Sequence, residues 1–358
     1  MKKRIWIKDL MSGMVVGDDV YTSSDQLIVP RHSVLNDRMI TRLKIYGIPA
    51  ISIFIKENEL DLIGKESIFS TRVKTSKEFQ EFSKKYSHIT DNVEDSMNKI
   101  IKKEISATEL IDTMTEYMGL TQQNDGQFHV FDMLNNMRET SDITYMHSIN
   151  VSLIATVLGK WLRFSEEDIE ILGLCGLLHD IGKLLIPENI LYKPYKLTEK
   201  EFEVVKSHSL KGYQVIKDLD IDERVKHVAL MHHERCDGSG YPMSLKRDQI
   251  SKFAKVIAIA DVYDAMTSSR LYREPICPFD VIIEFEREGL QLYETEYIMT
   301  FLRNVAQTYL HNQVRLSDGT EGEVIMINSF KLAKPVVRAG DSFIDLSKES
   351  ELRIEAII

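Results

Sequence analysis

The stretch that decides the fold is Ile169-Glu-Ile-Leu-Gly-Leu-Cys-Gly-Leu-Leu-His-Asp-Ile-Gly-Lys183. Its mostly apolar run from Ile169 to Leu178 has the length of a buried helix, and it carries His179 and Asp180 into the interior. An unpaired carboxylate would be costly there, so Asp180 requires a cation. Imidazole together with carboxylate is a ligand set suited to iron, manganese or zinc. The stretch therefore predicts a helix that ends at a metal site, with Lys183 just outside the ligands.

Further candidate ligands lie on apolar helical faces elsewhere in the chain; they are His147, His208, His232, His233 and Asp261. A single buried histidine is more often a core residue satisfied by one hydrogen bond. Neighbouring helical positions such as His232 and His233 diverge by ~100°, so both can reach one ion only near a helix end. The loop chemistry of Cys236-Asp-Gly-Ser-Gly-Tyr-Pro242 supplies that end. The clustering of these side chains, rather than any one of them, predicts the metal site.

The periodicity changes twice along the chain. Short β-type runs fill the first part, helical spacing dominates from about Asp142 to Leu310, and period-two alternation returns after Asn312. The fold class is therefore α+β and multidomain, with a central all-α helical bundle between two small β units. The expected domains are a β-rich unit over 1–70, a helical linker over 75–135, a catalytic domain over 140–312 and a C-terminal β unit over 313–358.

The linker contains an amphipathic stripe that runs from Phe79 to Ile100 at steps of three and four residues. This spacing predicts one long helix. The stripe fits packing within its own chain, which is the favoured interpretation, because it is short for a sustained heptad repeat. It also fits a dimer seam, and a homodimer is therefore one expected assembly.

Composition excludes several classes of protein. The 358 residues carry 45 Lys and Arg against 55 Asp and Glu, and the resulting net charge of -10 disfavours polymeric nucleic acid as a partner. The three cysteines, Cys175, Cys236 and Cys277, have no paired spacing, which fits a reducing cytoplasm. The apolar residues after the first basic ones are too few for a signal peptide, and no run is long enough to span a membrane. We expect a cytoplasmic protein without a membrane partner.

Five motifs together resemble the HD-GYP branch of the HD phosphohydrolase superfamily, the cyclic di-GMP phosphodiesterases that act on a bacterial second messenger. They occur in the order Tyr145-Met-His-Ser148, His179-Asp-Ile-Gly-Lys183, His208-Ser-Leu-Lys-Gly212, His232-His-Glu-Arg-Cys-Asp-Gly-Ser-Gly-Tyr-Pro242 and Ala260-Asp-Val-Tyr-Asp-Ala-Met-Thr-Ser268 with Arg270. The resemblance covers about Asp142 to Leu310. The segment Gly13-Met-Val-Val-Gly-Asp-Asp-Val20 more weakly resembles an accessory module that often precedes this domain.

The resemblance implies a site of two divalent ions, iron or manganese. The first would be held by His147, His179, Asp180 and Asp261, and the second by Asp180, His208, His232 and His233, so that Asp180 bridges them. Two such ions lower the pKa of a bridging water, and the hydroxide attacks a phosphodiester in line. Lys183 would neutralise developing charge as a catalytic and substrate-binding residue. The family precedent places Asp264, Arg270 and Arg273 against the substrate.

The expected reaction is hydrolysis of cyclic di-GMP to pGpG and onward to GMP. Cyclic GMP-AMP is an alternative substrate, because it differs in one base edge that the sequence does not reveal. A catalytically silent receptor, or a scaffold that docks diguanylate cyclases, is a second alternative; it is disfavoured because all seven expected ligands are present. Some relatives hold a third metal on a glutamate four residues before the first histidine. That position is Ile143 here, so two ions are predicted.

Overall fold

The computed structural model describes residues 68–104, 129–137, 143–191, 193, 197–268 and 276–358, together with most of 2–54 apart from 8–9, 11–13, 22–26, 36–38 and positions 41, 44, 45, 47 and 49. The chain divides into two compact units, Met1–Ser67 and Ile68–Ile358. The finer division into four domains stays a prediction.

The first unit is β-rich, as its short apolar runs predict. Its strands are β1 (Lys2–Trp6), β2 (Val15–Val16), β3 (Val20–Tyr21), β4 (Leu27–Val29) and β5 (Ala50–Phe54). They form an antiparallel sheet in the order β1-β5-β2 and a β3-β4 pair. Val16, Leu43 and Ile53 lie at the centre of a core that belongs to this unit alone.

The second unit is mainly helical. Its helices are α1 (Ile68–Thr75), α2 (Lys77–Lys102), α3 (Val130–Met137), α4 (Ile143–Trp161), α5 (Glu166–Leu178), α6 (Glu188–Leu191), α7 (Glu199–Lys206), α8 (His208–Ile216), α9 (Glu223–Met231), α10 (Lys252–Thr267), α11 (Pro278–Glu284), α12 (Leu290–Leu292) and α13 (Thr295–Thr308). Short 3₁₀ turns lie at Ile181–Leu185 and Arg247–Gln249, and a π-helical turn spans Phe285–Gly289. The predicted central helical bundle is confirmed.

Two helices of the second unit begin at residues whose side chains cap the first turn. The Ser165 hydroxyl accepts a hydrogen bond from the Asp168 backbone N–H at 3.2 Å, which opens α5. Thr198 and Glu201 form the reciprocal capping box that opens α7. Each cap satisfies backbone donors that the first helical turn leaves without a partner.

The apolar stripe of α2 packs inside its own unit. Its buried residues are Phe79, Phe82, Tyr86, Ile89, Val93, Met97 and Ile100, and all belong to the core shared with α4 and α5. The long helix is confirmed, and packing within the chain is the arrangement found. These side chains are covered within their own unit, and a homodimer stays a prediction.

The predicted C-terminal strands are also present: β6 (Gln313–Leu316), β7 (Glu321–Met326), β8 (Val336–Ala339), β9 (Ser342–Asp345) and β10 (Ile354–Ile357). They form an antiparallel sheet in the order β10-β6-β7-β8-β9. Val314, Val324 and Val337 on its inner face belong to the same hydrophobic core as the helices. Among the described residues, none of the helices combines the length and apolar character needed to cross a bilayer.

Candidate metal centre

Five helices bring the predicted ligands together in the second unit. His147 lies in α4, His179 and Asp180 follow α5, His208 opens α8, His232 and His233 follow α9, and Asp261 lies in α10. The approach of α8 requires Gly182, because a Cβ there would lie 1.9 Å from the His208 carbonyl oxygen. Only glycine lets the turn after Asp180 come this close.

One group of side chains surrounds the first oxygen of Asp180. Asp180 Oδ1 lies 3.2 Å from His208 Nε2 and 3.6 Å from His232 Nε2. His208 Nε2 is in turn 3.2 Å from His232 Nε2 and 3.1 Å from His233 Nε2. These four residues can direct one ligand atom each at a common point.

A second group surrounds the other oxygen. Asp180 Oδ2 lies 3.2 Å from His179 Nε2 and 3.5 Å from His147 Nε2. Asp261 extends this group, because its Oδ1 is 3.1 Å from His147 Nε2. Its Oδ2 is 3.8 Å from His233 Nδ1, on the side of the first group. The structure thus brings all seven predicted ligands into one cluster, with Asp180 between two sets of imidazoles.

The hydrogen bonds of the imidazoles leave their inward nitrogens available for a metal. The Nδ1–H groups of His179 and His208 donate to the carbonyl oxygens of Gly176 and Val205 at 2.7 and 2.6 Å. His232 Nδ1 donates in the same way to α9 carbonyls, at 3.1 Å to Ala229. Each Nε2 therefore carries a lone pair toward the cluster centre. Lone pairs that face each other repel unless a cation lies between them.

Two buried atoms of the cluster lack a hydrogen-bond partner among the described residues: His179 Nε2 and Asp180 Oδ1. Both residues are almost fully buried, at 0% and 1% exposure. A buried polar group without a partner is costly, and a bound divalent cation would satisfy both atoms. The donor set therefore fits divalent metal.

The charges of the cluster also favour cation binding. Burial alone would raise the pKa of Asp180, but His179 and Lys183 hold it well below its usual range. Burial likewise acts to raise the pKa of Asp261, and the neighbouring imidazoles of His147, His233 and His179 outweigh it, so this pKa is also low. Burial lowers the pKa of His232 to about 4. Both carboxylates are thus ionised and His232 is neutral at neutral pH, the protonation states that a metal requires.

Lys183 and the loop after α9 border the cluster. The Lys183 ammonium forms an ion pair with Asp180 Oδ2. The Tyr241 ring stacks on His233 with ring centres 4.6 Å apart. Glu234 holds the loop in place, because its buried carboxylate accepts hydrogen bonds from the Met243 and Leu245 backbone N–H groups at 2.7 and 2.8 Å. These contacts fix one wall beside the ligands.

Asp264 lies against His147, with a side chain that is 1% exposed. Asp264 Oδ2 accepts a hydrogen bond from His147 Nδ1 at 2.7 Å, and Oδ1 accepts from Asn150 Nδ2 and Ser268 Oγ at 2.9 Å each. Both oxygens thus have partners inside the protein, and the substrate contact that the resemblance implies for Asp264 stays a prediction.

Three other predicted positions lie wholly or partly outside the described residues. Arg270 and Arg273, the remaining substrate contacts, lie outside the described residues. Ile143 begins α4, but its side chain lies outside the described part of the chain.

Asn150 and Glu234 support the cluster although neither was predicted as a site residue. Asn150 stands three residues after His147 on a helix that is otherwise largely apolar, and this spacing was the available signal. Glu234 directly follows the two adjacent histidines, and its burial at 2% depends on a loop closure that spacing does not predict.

Comparison with known proteins agrees with this geometry. A family model described as HD domain matches residues 98–294. A cyclic di-GMP phosphodiesterase of Pseudomonas aeruginosa is 35% identical over 206 residues, which are 57% of this chain and 50% of that protein. One of Thermotoga maritima is 36% identical over 186 residues, 51% of this chain and 50% of that protein. A 3'3'-cGAMP-specific phosphodiesterase of Vibrio cholerae is 41% identical over 141 residues, 39% of this chain and 33% of that protein.

This chain spans half or less of the length of these curated relatives. The family model, however, covers more than half of the chain and includes every residue of the cluster. The predicted superfamily is confirmed: the chain belongs to the HD domain family.

Proposed function

We propose that this chain is a metal-dependent phosphodiesterase that hydrolyses cyclic di-GMP to pGpG. One observation carries the proposal: seven histidine and aspartate side chains meet in one buried cluster, and two of its polar atoms have no hydrogen-bond partner among the described residues. The names of the Pseudomonas and Thermotoga relatives support the substrate. A silent receptor or scaffold would have no need to keep every ligand.

Two divalent ions, iron or manganese, fit this donor set. His147, His179, Asp180 and Asp261 would hold one, and Asp180, His208, His232 and His233 the other. When bound, such a pair supplies a water of lowered pKa and neutralises phosphodiester charge. Imidazole and carboxylate without thiolate suit iron and manganese, whereas structural zinc sites often use cysteine. Full activity restored by zinc alone would contradict this assignment.

The chain's own residues have three tasks in the proposed reaction. Asp180 directs one oxygen to each imidazole group, so a single carboxylate sets the distance between the two sites. The backbone hydrogen bonds of His179 and His208 orient these rings with Nε2 toward the cluster. Lys183, with a side chain 22% exposed, pairs with Asp180, and in the proposed reaction it would offset the charge that develops on a leaving oxygen.

Cyclic GMP-AMP is the second candidate substrate, because the Vibrio cholerae relative is named for it. Arg270 and Arg273 are proposed to bind the guanine bases and phosphates, since guanidinium binds phosphate bidentately and stacks on bases. The chromatography of the products also tests whether pGpG is hydrolysed further to GMP.

A homodimer, a diguanylate cyclase partner and a cytoplasmic location stay predictions. A homodimer would need a surface other than the stripe of α2, which its own chain covers. The metal number rests on Ile143, which offers no ligand where some relatives have glutamate. Anomalous scattering from crystals of anaerobically prepared protein should give two strong peaks, and three peaks within about 4 Å of one another would refute the two-metal proposal.

The function is tested by incubating anaerobically purified, manganese-loaded protein with cyclic di-GMP and 3'3'-cGAMP and separating the products by chromatography. We expect linear pGpG as the product of cyclic di-GMP and a slower reaction with 3'3'-cGAMP. A faster reaction with 3'3'-cGAMP would reverse the substrate assignment. If protein shown to contain metal consumes neither dinucleotide, the proposal that the chain is an enzyme is overturned.

A further inference from the structure

A continuous set of hydrogen bonds links the long helix α2 to the cluster. The Tyr86 hydroxyl donates to Asn150 Oδ1 at 2.7 Å, and Asn150 Nδ2 donates to Asp264 Oδ1 at 2.9 Å. Asp264 Oδ2 accepts from His147 Nδ1 at 2.7 Å. The His147 Nε2 atom then faces Asp180 and Asp261. Four side chains from three helices thus form one path.

The path has a defined direction. The Asp264 carboxylate only accepts, which fixes the Asn150 amide with its nitrogen toward Asp264 and its oxygen toward the Tyr86 hydroxyl, so that hydroxyl donates. A carboxylate can only accept, so His147 must donate from Nδ1. The remaining nitrogen of that ring, Nε2, is therefore the one left with a lone pair for a metal.

The path is shielded from solvent. Tyr86 is 1% exposed, Asn150 4% and Asp264 1%. Hydrogen bonds in such surroundings are stronger than in water, and the loss of one leaves a buried polar group to compensate. These side chains therefore hold one another in a single arrangement.

Tyr86 comes from outside the part of the chain that the family match covers. The match begins at residue 98, whereas Asn150, Asp264 and His147 all lie within it. The preceding helix thus completes the support of a ligand in the HD domain. A displacement of α2 against α4 would break the first link of the path.

We propose that Tyr86 is a positioning residue for the metal centre and that it acts through Asn150 and Asp264 on His147. This inference rests on the proposed metal centre and on no assumption about the substrate. His147 belongs to only one of the two ligand groups, so removal of the Tyr86 hydroxyl should weaken one metal site and leave the other unchanged.

The test is a titration of manganese into the metal-free chain with no dinucleotide present. The electron paramagnetic resonance signal of free Mn²⁺ measures how much manganese stays unbound. Tyr86→Phe keeps the ring and removes the hydroxyl. We expect it to weaken one of two binding steps about fivefold, the effect of one lost hydrogen bond. Asp264→Asn should weaken the same step by about 10- to 100-fold, as for other partners of metal-bound histidines.

Thr90→Val is the matched control. It also removes a hydroxyl from α2, but Thr90 Oγ1 donates only to the Tyr86 carbonyl oxygen, at 2.9 Å, among the contacts described. The control should bind manganese like wild type. Wild-type binding by Tyr86→Phe, or equal weakening by Thr90→Val, would overturn the proposal. Hydrolysis is not measured, so a wrong substrate assignment would leave this result intact, whereas a wild-type chain that binds no manganese would overturn the metal centre itself.

Discussion

Asp180→Asn is the substitution that the account constrains most tightly. The carboxamide keeps the shape of the side chain but removes its charge, and it turns an N–H group toward imidazole nitrogens that lie 3.2 to 3.6 Å away. A unit charge about 4 Å from another contributes roughly 4 kcal/mol at an effective dielectric of ~20, which is about a thousandfold in affinity. Since Asp180 lies between both ligand groups, both metals should be affected.

The assay is metal content after anaerobic dialysis, measured by mass spectrometry, together with manganese titration of the metal-free chain. Asp180→Asn should retain neither metal and should show no hydrolysis. Asp218→Asn is the matched control, because it removes the same charge from an exposed position of the same unit. An Asp180→Asn chain that binds two manganese ions with wild-type affinity would refute the bridging role.

Three further predictions use other parts of the second unit. Lys183→Ala should keep both metals and slow hydrolysis by about 10²- to 10³-fold, and an unchanged rate would remove Lys183 from the reaction. Gly182→Ala should lower both the melting temperature and the manganese affinity, because its Cβ would collide with the His208 carbonyl; wild-type values in both would show that the close approach is dispensable. Burial raises the pKa of Asp132 to about 7, so the folded chain keeps a proton that the unfolded chain releases, and stability falls as pH rises toward that value. The Asp132→Asn chain should therefore have a higher melting temperature than wild type at pH 8, and the difference should narrow at pH 5. A difference in melting temperature that stays constant between these pH values would contradict the raised pKa of Asp132.

Spacing predicted the ligands because each one ends or interrupts an apolar helical face. His179 and Asp180 follow a buried run, and His232 and His233 stand where a helix gives way to a loop. These features are local, so a single sequence can reveal them. The capping residues Ser165 and Thr198 are local in the same sense.

The roles that escaped prediction depend on contacts between distant parts of the chain. Asp264 lies one helical turn beyond Asp261, and its carboxylate contacts His147, 117 residues away in sequence. Tyr86 forms part of an apolar stripe, and only the packing of α2 beside α4 shows that its hydroxyl meets Asn150, 64 residues later. The C-terminal strands were predicted, but the core that they share with the helices was not.

Two metals held by one cluster are proposed to make this chain a cyclic dinucleotide phosphodiesterase. A titration of manganese into the metal-free chain at fixed cyclic di-GMP, with pGpG as the measured product, tests this proposal. We expect no product without manganese and a rate that reaches its plateau at two ions per chain. Equal hydrolysis in the presence of a chelator, or a plateau at a single ion, would contradict it.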